Sequence, residues 1–167
     1  MWLGLGLMGV FGGGWALASP QPSAFEALVL GLPLIWLSVV DLDRFEIPDL
    51  ANLGILLGGL SYGEGPLWGT VLESSVIFMI MFLFSIVAEN WLGKTALGLG
   101  DVKLLGAGAA WVGVFGMSSV ILLASVAGIG FIVMMWALRR RRFEAPLPFG
   151  PFIAMGLWAT WLYGPVI

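Results

Sequence analysis

Two short acidic clusters hold most of the side-chain chemistry in this 167-residue chain. The first is Asp41-Leu42-Asp43-Arg44-Phe45-Glu46-Ile47-Pro48-Asp49, and the second is Gly98-Leu99-Gly100-Asp101-Val102-Lys103. Two carboxylates held close together do not both ionise easily. One keeps its proton while the other is free to take a proton from a water attacking a peptide carbonyl. Asp41 and Asp101 are the candidate catalytic pair for such hydrolysis, which needs no metal, thiol or imidazole. The chain contains no Cys and no His, so disulfides, thiolate nucleophiles, Cys-based zinc sites and the Ser-His-Asp arrangement are all excluded. No cofactor and no metal are expected.

The elements that position these acids are set by composition. The chain is 60% hydrophobic and 10% charged, with a mean hydropathy of +1.03, far from soluble globular usage, in which about a quarter of residues are charged. Such a chain belongs in a bilayer, where helices and closed barrels alone satisfy their backbone, and long apolar runs without period-two alternation select helices. The predicted fold is an all-α polytopic membrane bundle forming one unit over residues 1–167, with seven spans. They are Trp2 to Ala18, Phe25 to Val40, Pro48 to Tyr62, Pro66 to Trp91, Asp101 to Phe115, Ser118 to Leu138 and Phe149 to Pro165. Six spans remain the alternative if the Gly-rich first segment does not cross. That segment has no basic residue before its apolar run, so it does not read as a cleavable signal.

Alternating the joints between the two sides gathers all seven basic residues, Arg44, Lys94, Lys103 and Arg139 to Arg142, on one side. The opposite side holds only Glu26 and Glu64 near its loops, so the positive-inside rule makes the basic side cytoplasmic. Both acidic clusters then lie at that same interface, with Asp41 closing one helix and Asp101 opening another. The net charge of −3 and the single basic cluster argue against a nucleic-acid partner. Arg139 to Arg142 read as topological anchors beside anionic lipid.

Each feature also has a plainer reading. Asp101 resembles an N-cap acid after a Gly loop, and Asp41 a solvated acid at a span end. Pro48 and Asp49 suit the first turn of a helix. Asp43, Arg44 and Glu46 suit a solvated loop with local ion pairing, Glu89 a partner for Lys94, and Glu73 a structural acid near the opposite surface. The run VIFMIMFLF faces lipid or packs. Gly98 and Gly100 let the backbone turn and a neighbour approach Asp101, and Gly106 to Ala110 continue as a small-residue surface for tight packing.

Taken together, the two clusters resemble those of the type IV prepilin and archaeal preflagellin peptidases, membrane aspartyl proteases of the GxGD type. Asp41 followed by a polar stretch and Ile47-Pro48-Asp49 is similar to the family's first motif, and GLGDVKLLGAGAAW, residues 98–111, to its second. PFGPFIAMG, residues 148–156, is similar to its closing helix. The resemblance therefore runs from the second span to the C-terminus. It implies catalytic roles for Asp41 and Asp101, motif roles for Gly98 and Gly100, and supporting roles for Asp49 and Lys103. It also implies a substrate with a short basic leader in the cytoplasm and a hydrophobic helix in the inner membrane, cut at the cytoplasmic face. Asp43, Glu46 and Asp49 would attract that leader. The long bacterial form carries a Cys-containing insert that goes with N-methylation. This chain lacks it, which implies cleavage without methyl transfer, as in Tad-type or archaeal enzymes.

Presenilin-like proteases share GxGD, but their Tyr-Asp and Pro-Ala-Leu motifs contrast with Val40-Asp41 and Pro148-Phe149-Gly150-Pro151 here. A non-enzymatic alternative is a small transporter or assembly subunit using paired acids as a proton or cation site. The chain shows neither inverted-repeat halves nor acids near midspan.

Overall fold

The computed structural model describes residues 23–63, 65–93, 97–138 and 147–166. Every element in them is an α-helix: α1 Ala24–Arg44, α2 Asp49–Tyr62, α3 Leu67–Leu92, α4 Leu99–Ala137 and α5 Gly150–Tyr163. Three of these, α1, α3 and α4, are long and apolar enough to cross a membrane. The architecture is that of a helical membrane protein, as composition predicted.

The described residues carry five helices, so the expected count of seven is corrected. The expected first span, Trp2 to Ala18, lies outside the described residues, as do Glu64, Lys94 and Arg139 to Arg142. The spans expected at 101–115 and 118–138 form the single element α4, interrupted at one residue. Gly113 takes φ 69° and ψ 177°, a conformation that L side chains rarely adopt.

The two arms of α4 double back on each other at this glycine. A straight helix would separate Gly108 from Gly128 by about 30 Å. Yet a Cβ on Gly108 would sit 3.0 Å from Leu157 of α5, and one on Gly128 would sit 3.4 Å from Phe149, at the start of α5. Phe149 and Leu157 are only about 12 Å apart along a helix. Met117, from the second arm, likewise reaches within 3.3 Å of the Cβ position of Gly108. Propensity and hydropathy see two apolar helices here; one glycine lets them share a single element.

Local chemistry explains the other boundaries. Ser23 caps α1 by accepting the Glu26 N–H at 3.2 Å, the Ser-x-x-Glu spacing of a capping box. The helix ends where Phe45 turns left-handed, with φ 56°, and gives its N–H to the Asp41 carbonyl at 2.9 Å. Pro48 is extended and stands just outside α2 as its N-cap, one position earlier than the first-turn place expected of it.

The first arm of α4 is the centre of the bundle, against which α2, α3 and α5 pack, while α1 lies on α2 and α5. Its residues 104–111 are buried. Because lipid tails are as apolar as Leu, association here depends on close van der Waals contact, which small residues permit. Gly106 lies against Phe78 of α3, and Gly59 of α2 against Ala110. The small-residue surface read from the sequence is therefore the packing seam. By contrast Val76, Met79, Ile80, Leu83 and Phe84 of α3 are exposed, as suits side chains facing lipid. The rims differ in chemistry: Phe25 and Tyr62 rings meet at one end, Tyr62 stacks on Trp111, and the acidic residues collect at the other.

Candidate active site

Asp41 stands in the last turn of α1 and Asp101 in the first turn of α4. α1 runs toward the acidic rim and α4 away from it, so their ends meet there. Both carboxylates line one cavity of about 480 Å³, close enough for their charges to interact. All six residues singled out in the sequence, Asp41, Asp101, Gly98, Gly100, Asp49 and Lys103, line this cavity, together with Phe45, Glu46, Ile47, Pro48 and Leu99.

Asp41 is 5% exposed, and its Oδ2 accepts the backbone N–H of Gly150 at 2.9 Å. Gly150 is the first residue of α5, and a helix start has N–H groups with no partner inside the helix and a positive dipole end. The carboxylate thus answers a need of α5 while α5 fixes the carboxylate. There is no room for a side chain between them: a Cβ on Gly150 would lie 2.9 Å from Asp41 Oδ2 and 3.1 Å from Ile47 Cδ1. Sequence reasoning found the PFGPF segment only by resemblance and missed Gly150 as a partner of Asp41. The available signal was a Gly-Pro pair opening a helix.

Asp101 is held differently. It occupies the third helical position after the N-cap Gly98, and its carboxylate reaches back to the Gly98 backbone N–H. Asp101 is thus not itself the N-cap that its Gly-rich approach suggested: Gly98 holds that place, and Asp101 stands inside the first turn while lining the cavity. A Cβ on Gly98 would come within 3.3 Å of Asp101 Oδ2, and one on Gly100 within 3.0 Å of Ile47 Cβ. Ile47 thus touches the cradle of both acids, a role not anticipated from its apolar side chain.

Lys103 donates to Asp49 Oδ1 at 2.7 Å, linking α4 to α2 across the cavity edge. Neither residue's expected supporting role specified this partner. Arg44 and Asp43 pair loosely at 3.8 Å with both side chains exposed, as expected, but they stand in the last turn of α1 and not in the loop expected for them. Of the three acids expected to attract a basic leader, Glu46 and Asp49 line the cavity and Asp43 does not. Glu73 lies at the other end, its Oε2 3.0 Å from the Cβ position of Gly113. Among the described residues, no three His, Cys, Asp or Glu side chains gather into a group able to hold a metal ion.

Residues 28–133 match the model of the type IV leader peptidase family. The chain is similar to the prepilin leader peptidase/N-methyltransferase of Burkholderia pseudomallei, with 39% identity over 163 residues that cover 91% of this chain and 50% of that protein. With the corresponding protein of Aeromonas salmonicida it shares 33% identity over 153 residues, 89% of this chain and 53% of the relative. With the type 4 prepilin-like proteins leader peptide-processing enzyme of Escherichia coli it shares 32% over 152 residues, 88% and 52% respectively. The chain thus spans about half the length of the curated relatives it matches. No solved structure matches it.

Proposed function

The chain belongs to the type IV leader peptidase family, and from that premise we propose that it is a membrane aspartyl endopeptidase. It removes the short basic leader of type IV pilin-like precursors at the cytoplasmic face of the inner membrane, without methylating the product. Asp41 and Asp101 are its catalytic pair. The observation that carries this reading is the convergence of these two carboxylates, from the end of one helix and the start of another, on one cavity.

In the proposed reaction one carboxylate takes a proton from a water as its oxygen bonds to the scissile carbonyl carbon. The other, protonated, gives its proton to the carbonyl oxygen. The gem-diol then collapses and the C–N bond breaks: the first carboxyl gives the proton it took to the leaving nitrogen, and a gem-diol hydroxyl gives its proton to the second carboxylate, so atoms and charge balance and the pair is restored. The Gly150 and Gly98 N–H groups keep both carboxylates aimed during these transfers. A coupled pair of this kind predicts a pH–rate profile with two ionisations belonging to the pair.

The cytoplasmic placement is supported by Lys103 and Arg44 at the acidic rim, under the positive-inside rule. Residues 1–167 are proposed to act as one peptidase domain. The test is incubation of the purified chain with a precursor carrying a Lys-rich leader and an apolar helix, followed by mass spectrometry. The reading requires a single cut between leader and helix and an unmethylated new N-terminus. An uncut precursor refutes the peptidase, and a product heavier by one methyl group refutes the second clause.

A further inference from the structure

The catalytic cavity continues into a larger space. Asp49 and Lys103, at its edge, also line a groove of about 800 Å³ between α2, α3 and the first arm of α4. Its wall on α2 runs from Asp49 to Leu60, about 16 Å of helix. Leu53 and Leu56 on this wall, with Phe78 and Met79 of α3 across from it, make most of the lining apolar.

Two buried polar side chains interrupt the apolar lining. Asn52 is 6% exposed, and among the described residues neither its Oδ1 nor its Nδ2 has a hydrogen-bond partner. Ser74, 7% exposed and deeper in the groove, has an unpartnered Oγ. Buried polar atoms without partners are uncommon because each one forfeits its hydration. An apolar residue would avoid that cost at either position, so these groups face something that the described residues do not supply. Asn52 lies one helical turn from Asp49, where groove and cavity join.

We propose that this groove receives the first turns of the substrate's hydrophobic helix, with Asn52 hydrogen-bonding the backbone groups which that helix leaves free at its start. The inference rests on the peptidase reading and adds where the uncleaved part of the substrate lies. A peptide bond presented to two carboxylates must be extended, so the substrate helix begins just beyond the cavity. Its first four N–H groups have no partners of their own. In an apolar groove they need partners, and an Asn amide supplies both an acceptor and donors. The groove's continuity with the cavity, its apolar wall and the position of Asn52 at the junction all fit that occupant.

The test uses the full purified chain with two probes. One is a synthetic precursor with a Lys-rich leader and an apolar helix of about 20 residues; the other is a soluble peptide with the same leader and scissile sequence but no helix. Asn52→Leu is expected to raise KM for the first probe about tenfold, with kcat unchanged. KM for the soluble peptide should not change, and the unfolding temperature should stay level or rise. Equal effects on both probes, or a fall in unfolding temperature, would mark Asn52 as merely structural and overturn the proposal. Because the chain has no Cys, Leu53→Cys should also form a disulfide with a cysteine at the start of the probe's helix, whereas Leu32→Cys on the outside of α1 should not. Cleavage without that disulfide overturns the groove alone, while the disulfide without any cleavage overturns the peptidase reading alone. A disulfide-linked dimer of the Leu53→Cys chain, or exclusion of the probe by a link to a cysteine placed at Leu7, gives the groove to another occupant and overturns the proposal.

Discussion

Substituting Gly150 by Ala should separate folding from catalysis. The added Cβ would stand 2.9 Å from Asp41 Oδ2 and 3.1 Å from Ile47 Cδ1, so the carboxylate must retreat by roughly half an ångström to reach an ordinary contact. That retreat stretches the 2.9 Å bond from the Gly150 N–H, a charge-assisted hydrogen bond of the kind that contributes about 1.5–3 kcal/mol. Displacement of a reacting group by about 1 Å can cost on the order of 100-fold in rate, and each 1.36 kcal/mol is about tenfold. A fall in kcat of about 10- to 100-fold is therefore expected. Stability should change little, since Ala favours helix over Gly by about 1 kcal/mol and offsets part of the lost contact. The assay is kcat and KM on a leader-bearing precursor, alongside thermal unfolding in the same detergent. Gly130→Ala is the control, because nothing lies within 4 Å of its Cβ position. Native kcat in Gly150→Ala would refute the claim that α5 positions Asp41.

Three further substitutions test other parts of the structure. Gly98→Ala crowds Asp101 Oδ2 and Gly100→Ala crowds Ile47, so each should lower kcat about tenfold or more with the protein still inserted, as read by progress curves on equal amounts of enzyme. Removing the exposed Asp49–Lys103 pair should cost less than about 1 kcal/mol, measured as the coupling in a double-mutant cycle of unfolding free energies. Trp111→Phe loses the indole N–H bond to the Ile55 carbonyl at 2.7 Å and should destabilise by about 1 kcal/mol while leaving kcat level, since Trp111 lies toward the aromatic rim.

Much of the site was legible because membrane chemistry makes acids conspicuous. In a chain with ten Asp and Glu, alternating the joints was enough to bring Asp41 and Asp101 to one end, and helix ends explain how each is held. The small-residue run at Gly106 to Ala110 was likewise legible, since little else lets helices approach closely in lipid. What was hidden depends on contacts distant in sequence. Gly150 is 109 residues from Asp41, and a glycine opening a helix carries no sign of the carboxylate it will meet. Ile47 reads as an apolar residue of a loop, yet it touches both cradles. Gly113 reads as one more glycine in a short joint, whereas its positive φ folds one helical element back on itself. Asn52 stood out in neither pattern nor charge, and only its unmet hydrogen bonds single it out.

The most direct measurement compares cleavage of a leader-bearing precursor by the native chain with cleavage by Asp41→Asn and by Asp101→Asn, each nearly isosteric and each unable to act as a carboxylate. The proposed dyad predicts that the native chain cuts and that both variants accumulate, insert in the membrane and leave the precursor whole. Normal cutting by either variant would show that its Asp is structural and would contradict the two-carboxylate mechanism.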